Sequence, residues 1–299
     1  MYHIPVLLNE CIEALSIKPD GVYVDVTFGG GGHSRAILEK LTTGKLFSFD
    51  QDDDAAANAA EITHPGFRLI KANFRHLRKF LKLYGARQAD GLLADLGISS
   101  HQIDAPQRGF STRFPARLDM RMDQSAAVTA RDIVGSYSEE QLHKILGMYG
   151  EVKNARTLAS AIVRSRFASP IATTDDLIAL LKQYAPRGKE FKYYAQVFQA
   201  LRIEVNQELT ALEEMLLQTA DVLKPGGRLV VMSYHSLEDR LVKNFIRTGK
   251  FSGEAEKDIF GNTSVPFRAV TKKTIEPDAE EIAHNPRARS ARLRVAEKL

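Results

Sequence analysis

The run Asp25-Val-Thr-Phe-Gly-Gly-Gly-Gly-His33 sets a carboxylate, a glycine-rich turn and an imidazole close together, between an apolar strand pattern and a helical one. Glycines there let backbone approach a ligand closely, and the first amides of the helix can bind it. Asp50 stands 19 residues beyond Gly31, at the end of the next apolar run. A carboxylate in that place can accept both hydroxyls of an adenosine ribose, in NAD and in S-adenosylmethionine (SAM) alike. A dinucleotide fingerprint would want glycine or alanine where this chain has Ser34, which favours a ligand without a pyrophosphate. Phe74 and Asp95, near the ends of two further strand patterns, would face the same crevice. Taken singly, Asp50 is equally an acid capping the following helix and Phe74 an ordinary core aromatic. His235 follows another apolar run, where it could touch a substrate or take up a proton, or simply satisfy the turn before a helix. The single cysteine, Cys11, rules out a disulfide framework and a multi-cysteine zinc site, and no other metal-ligand spacing is evident.

Positioning these groups requires a parallel α/β sheet. Strand patterns at Gly21–Phe28, Lys45–Asp50, Phe67–Lys71 and Gly91–Asp95 alternate with helical periods such as Ser34–Leu41 and Asp54–Ile62. From about Ala105 the strand signal disappears, giving a polar loop (Pro106–Asp123) and helical patterns such as Glu139–Tyr149 and Ala155–Arg166. A helical domain over 105–205 is therefore expected inside a discontinuous sheet domain made of 1–104 and 206–299. The pattern predicts one long helix from about Tyr194 through Leu223, stopped by Lys224-Pro-Gly-Gly227. A strand over Arg228–Tyr234 follows, then a helix with Ser236 as its N-cap. Phe267–Thr274 and Arg292–Ala296 are candidates for an antiparallel pair at the sheet edge.

The chain has 299 residues, 44% of them hydrophobic, enough for one large domain or two medium ones. No window reaches the roughly 18 consecutive apolar residues of a membrane span, and Asn9, Glu10 and Glu13 interrupt the N-terminal pattern (Val6–Leu15) where a secretory signal would be apolar. A cytoplasmic protein is expected. Net charge is only +4, but residues 105–205 carry 15 Lys and Arg against 10 Asp and Glu, whereas the remainder carries 26 against 27. A basic insertion in a neutral body points to nucleic acid better than the total does, although on charge alone a solvated helical surface accounts for it equally.

Eight segments, taken in order, are more specific than any one loop. They are His3–Leu8, Asp25–Ser34, Asp95–Ser100, Arg108–Ser111, Leu118–Asp123, Phe198–Asn206, Ser233–Arg240 and Asn285–Ser290. On these the chain resembles, nearly end to end, the bacterial 16S ribosomal RNA cytosine-N4 methyltransferases, the RsmH or MraW family. The resemblance implies a class I SAM-dependent methyltransferase fold, a Rossmann-like α/β sheet with an inserted all-helical domain that recognises the RNA. It implies methylation of N4 of a cytidine in the decoding region of 16S rRNA, within the small ribosomal subunit, with SAM as donor. By the same comparison Gly31, Gly32, His33, Asp50, Phe74, Asp95 and Gln102 would contact SAM. Thr112–Arg117 departs from the family's usual run.

The amino nitrogen of cytosine is a poor nucleophile, so a hydrogen-bond acceptor must hold it in line with the methyl group. Asp95 is the first candidate, although Leu96-Gly97 follows it where many amino methyltransferases have Pro-Pro-aromatic, and contact with the methionine ammonium of SAM carries more weight. His235 is the second catalytic candidate. Carbon-5 methylation would need a cysteine near the crevice, and Cys11 reads instead as a buried small hydrophobe. Phosphate contacts are expected from Arg108, Arg113, Arg117 and Arg121, from Lys189 and Lys192, and from Arg287, Arg289 and Arg292. Two rival readings are an NAD(P)-dependent oxidoreductase and a non-catalytic RNA-binding or assembly protein that retains SAM.

Overall fold

The computed structural model describes residues 5–256 and 263–299, so His3 and Ile4 of the first family segment lie outside it. The chain separates into two compact units. One comprises the residues up to Gly97 together with Leu209–Leu299, and the other is Ile98–Glu208. The divisions fall after 97 and 208, where sequence pattern had placed them after 104 and 205. No helix among the described residues is long and apolar enough to cross a membrane.

The first unit is a seven-stranded sheet: β1 Val22–Asp25, β2 Lys45–Asp50, β3 Phe67–Lys71, β4 Ala89–Asp95, β5 Leu223–Ser233, β6 Phe267–Ala269 and β7 Arg292–Lys298. Its order is β3-β2-β1-β4-β5-β7-β6. The first five strands pair in parallel, and β7 runs antiparallel between β5 and β6. Parallel strands covered on both faces are apolar on both, and the run Leu229–Met232 is buried throughout. Val24, Phe49, Leu92 and Val231 pack on one side of the sheet, while Tyr23, Leu46, Leu93, Val230 and Met232 pack on the other. From β1 the chain winds outward through β2 and β3, then returns to β4 on the opposite flank. That reversal opens a crevice beyond the carboxyl end of β1.

Three expectations about these elements and the helices leading into β5 need correction. The edge strand reaches only from Phe267 to Ala269, not to Thr274. The long helix is two helices, Glu190–Asn206 and Glu208–Val222, because Gln207 adopts a left-handed conformation (φ 49°, ψ 39°) that no α-helix propagates. The helix Ser236–Thr248 is capped by His235 instead of Ser236.

The second unit is helical, with Ser100–Asp104, Ala130–Ser136, Glu139–Met148, Ala155–Ala168, Thr174–Leu181 and Glu190–Asn206. Leu142, Leu146, Leu158, Leu177 and Val197 are fully buried among these helices. Capping boxes start four of them, at Ser99/Gln102, Thr129/Asp132, Ser138/Gln141 and Thr173/Asp176. The long loop before Ala130 carries one 3-10 turn, Pro106–Arg108, and is held by backbone and side-chain hydrogen bonds. Asn206 accepts from the Met122 amide (2.7 Å) and donates to the carbonyls of Met120 (2.8 Å) and Arg202 (2.9 Å), fixing a segment in which Met120 has φ 62°. Replacing Asn206 with alanine strands a partly buried amide and carbonyl, so urea unfolding of the variant should show a loss of about 1–3 kcal/mol.

Candidate active site

The crevice rests on a buried hydrogen-bonded stack at the carboxyl end of β1. Asp25 is 1% exposed; its Oδ2 accepts from Ser34 Oγ (2.7 Å), which lies 2.8 Å from Ser48 Oγ on β2. Its Oδ1 accepts from the Thr27 amide (3.1 Å), and Thr27 Oγ1 in turn accepts from the Asp95 amide on β4 (2.7 Å). Ser34, the residue that spoils a dinucleotide fingerprint, therefore bridges β1 to β2 beneath the turn.

The glycines of the turn differ in what the protein demands of them. Gly29 and Gly31 have φ 51° and 76°, the left-handed region that disfavours side chains. Gly32 has no room, because a Cβ there would stand 2.2 Å from Pro5 Cγ. Gly30 has neither constraint: its φ is not positive, and a Cβ would meet no protein atom within 4 Å. The protein itself places no demand for glycine at position 30, and that side of the turn is open. The outer side of the turn is clamped, with Asn58 Nδ2 donating to the Gly29 carbonyl (3.1 Å) and Arg35 Nη1 to that of Gly30 (2.8 Å).

Asp50 and Asp95 flank this turn from β2 and β4. Asp50 accepts from the amides of Gly29 and Asp52, both at 2.8 Å, one on each oxygen, and each oxygen keeps a second lone pair for a ligand hydroxyl. Burial pushes its carboxyl up to about 6, the two amide bonds opposing, and no Lys or Arg among the described residues pairs with it. Asp95 is pushed up to about 6 chiefly by burial as well, yet 24% of its side chain stays accessible. Tyr234 Oη donates to its Oδ1 (2.8 Å), and burial beside that carboxylate drives the phenol pKa far upward. Its Oδ2 lies 3.8 Å from Nδ1 of the buried His33, whose Nε2 reaches the Val6 carbonyl (3.2 Å).

Gly31, Gly32, His33, Asp50 and Asp95 thus gather at one sheet edge. Phe74 lies in a short 3-10 turn, Phe74–His76, half-buried against the core of the sheet. Gln102 belongs to the helical unit, where its side chain closes the capping box with Ser99 (3.0 Å). His235 is spent on the turn: Nδ1 caps the Glu238 amide (3.5 Å), while the buried Nε2, 3.2 Å from Glu238 Oε1, lacks hydrogen-bonding geometry to it. Tyr234 and Gly30 were missed by sequence reasoning. Strand alternation from Val230 and Met232 would have put Tyr234 on their face at the carboxyl end of β5.

Among the expected phosphate contacts, Arg108 and Arg121 are not surface cations. Arg108 is 5% exposed and donates to the carbonyls of Arg121 and Met122 (both 3.0 Å). Arg121 forks onto Asp119 (2.7 and 2.9 Å) and binds the Gln124 and Ala126 carbonyls. Both hold the loop's own backbone. Arg113 is exposed and pairs with Asp104 (3.2 Å); Arg117, Lys189, Lys192 and Arg289 are exposed. Arg287 is half-buried, and Arg292 lies 3.7 Å from Asp239 and 3.9 Å from Glu276.

The raised carboxyls carry a stability consequence. An acid whose folded pKa exceeds its unfolded value favours folding fully below the unfolded value, and that contribution is lost as pH rises through the folded one. For Asp95 the window runs from the usual carboxylate value near 3.8 to about 6. Asp95→Asn, which keeps an acceptor for Tyr234, should therefore be more stable than the parent at pH 7.5, by on the order of 1–3 kcal/mol. Urea melts at pH 4 should show little difference, and an equal gap at both pH values would refute the assignment.

The whole chain, residues 1–299, matches the model of the MraW methylase family. It is similar to "Ribosomal RNA small subunit methyltransferase H" of Cytophaga hutchinsonii, 63% identical over 298 residues and covering 100% of both chains. It is 56% identical to the protein of that name from Flavobacterium johnsoniae, covering 100% of this chain and 98% of that one. Among solved structures, an rRNA methylase from Streptococcus thermophilus aligns with 98% of this chain and 93% of its own at 14% identity and a TM-score of 0.41. A full-length family match, together with relatives above half identity along the entire sequence, places this chain in the MraW methylase family.

Proposed function

We propose that this protein transfers the methyl group of SAM to the exocyclic N4 amine of a cytidine in small-subunit ribosomal RNA, in the decoding region of 16S rRNA. The observation that carries the reading is the pair of carboxylates, Asp50 and Asp95, on either side of a turn whose Gly30 no protein atom requires to be glycine. The names of the full-length relatives support the substrate class, and the family resemblance in the sequence supports the target atom. A cytoplasmic site of action accords with that substrate.

The residues present fit SAM. Asp50, accepting only backbone amides, would hold the ribose hydroxyls, and the open side of Gly30 would admit the nucleoside. Among the described residues Asp95 pairs with no Lys or Arg, its basic neighbour being the His33 imidazole at 3.8 Å, and a cationic methionine ammonium would complement it. SAM, when bound, supplies an electrophilic methyl on a sulfonium. Tyr234 fixes one Asp95 oxygen and leaves the other edge for ligand or for an amino N–H. His235, engaged with Glu238, positions the start of its helix, and we assign it no proton transfer. We further propose that Arg113, Arg117, Lys189, Lys192, Arg287, Arg289 and Arg292 contribute the phosphate contacts.

Incubation of the purified protein with undermethylated small subunits and labelled SAM should place label on N4 of cytidine; label on adenine or on carbon 5 of a pyrimidine would refute the target. Gly30→Ala should leave the melting temperature unchanged or slightly raised, while calorimetry shows SAM affinity falling about tenfold or more. Undiminished affinity would mean the open side of the turn is not the ligand's path. Replacing Arg287 and Arg289 with glutamine should weaken subunit binding and flatten its salt dependence by about one phosphate per lost contact, with SAM affinity unchanged.

A further inference from the structure

Phe191 is the most exposed large hydrophobic side chain among the described residues, at 85%. Singly exposed apolar side chains are ordinary on a protein surface, and what distinguishes this one is its setting. Phe191 stands in the first turn of the helix Glu190–Asn206, its ring 6.3 Å from that of Tyr194 in an edge-on arrangement. Tyr194 is 6% exposed and belongs to the core of the helical unit. One aromatic is therefore anchored and braces the other in solvent, which lowers the entropy lost when a flat ligand settles on it.

Three cations beside it in sequence are uncommitted. Arg187, Lys189 and Lys192 are exposed and form no ion pair among the described residues. Glu190, the acid beside Phe191 in sequence, accepts from the Gly188 amide (2.9 Å) and pairs with none of these cations. Phe167, the other highly exposed phenylalanine, differs in this respect. Its neighbour Arg166 lies over its ring and donates to the carbonyls of Val134 and Tyr137 (3.1 and 2.7 Å), so that cation is already engaged.

A braced ring among free cations fits a single-stranded polyanion that carries flat bases. We propose that Phe191 is a stacking platform for an unpaired base of the substrate RNA, with Arg187, Lys189 and Lys192 gripping the flanking phosphates. Every base has a π face, so the contact sets orientation and affinity without reading sequence. The inference rests on RNA being the substrate, but it assigns a base contact where charge alone predicts only phosphates.

Stacking and charge separate by salt. Binding of the full-length protein to undermethylated small subunits should weaken about tenfold or more in Phe191→Ala, the weight of one stacked base, with the slope of log affinity against log salt unchanged. Phe191→Tyr should restore binding. Lys189→Gln with Lys192→Gln should instead lower the slope. In methyl transfer, Phe191→Ala should raise KM for the subunit and leave KM for SAM alone. Affinity equal to the parent's in Phe191→Ala would overturn the proposal. So would full rescue by Phe191→Leu, which would identify a merely apolar contact such as a protein surface. If the parent binds subunits without methylating them, the reading of the reaction fails while the stacking contact is still decided by the binding series.

Discussion

Three carboxylates in one poorly solvated crevice are the constraint to which the rest of the sheet unit answers. Parallel pairing of β1 with β2 and β4 brings Asp25, Asp50 and Asp95 to the same edge, and Asp25 raises the pKa of each of the other two. Like charges so placed would ordinarily be selected against or neutralised by a lysine or arginine. Here no Lys or Arg among the described residues pairs with them; neutral groups donate instead, Ser34 to Asp25, backbone amides to Asp50 and Tyr234 to Asp95, with the His33 imidazole 3.8 Å from Asp95. Dipoles of this kind hold a carboxylate in place without cancelling its charge, and the residual field remains available to a cationic or hydroxyl-bearing ligand.

The same economy explains the turn. Asp50 accepts from Gly29, Thr27 accepts from Asp95, and Asn58 and Arg35 restrain the glycine carbonyls, so four elements are tied to one loop. A flexible tetraglycine would lose much entropy on binding; this one is already fixed in shape.

Much of this was legible in the residues. The strands announced themselves because buried parallel strands must be apolar, and the glycine turn and Asp50 because their spacing is set by one strand-helix-strand unit. The failures have physical causes. Arg108 and Arg121 carry charges that a count assigns to the surface, whereas in the structure their guanidinium groups donate to backbone carbonyls of the loop. Gln207 breaks a helix with a residue that has good helical propensity, so no local rule marks it. The short helices Ala130–Ser136 and Thr174–Leu181 lack a long apolar period, but the pairs Thr129/Asp132 and Thr173/Asp176 are start signals that sequence reading could have used. Tyr234 was overlooked beside a histidine, the residue type that attracts mechanistic attention first.

The insertion of a helical unit between β4 and β5 also bears on how the molecule acquires its structure. Asp95 pairs with Met232, so the central sheet cannot close until the chain has looped through the whole of Ile98–Glu208. Loop length itself is a small thermodynamic handicap, about 0.6 kcal/mol per doubling, but distant strand pairing is slow. Because the intervening segment has a core of its own, built from helices close together in sequence, it can condense early and independently. Assembly is thereby divided into a fast local step and a late closure of the crevice, and the unfinished sheet edge of β4 is the surface most exposed to misassociation in between.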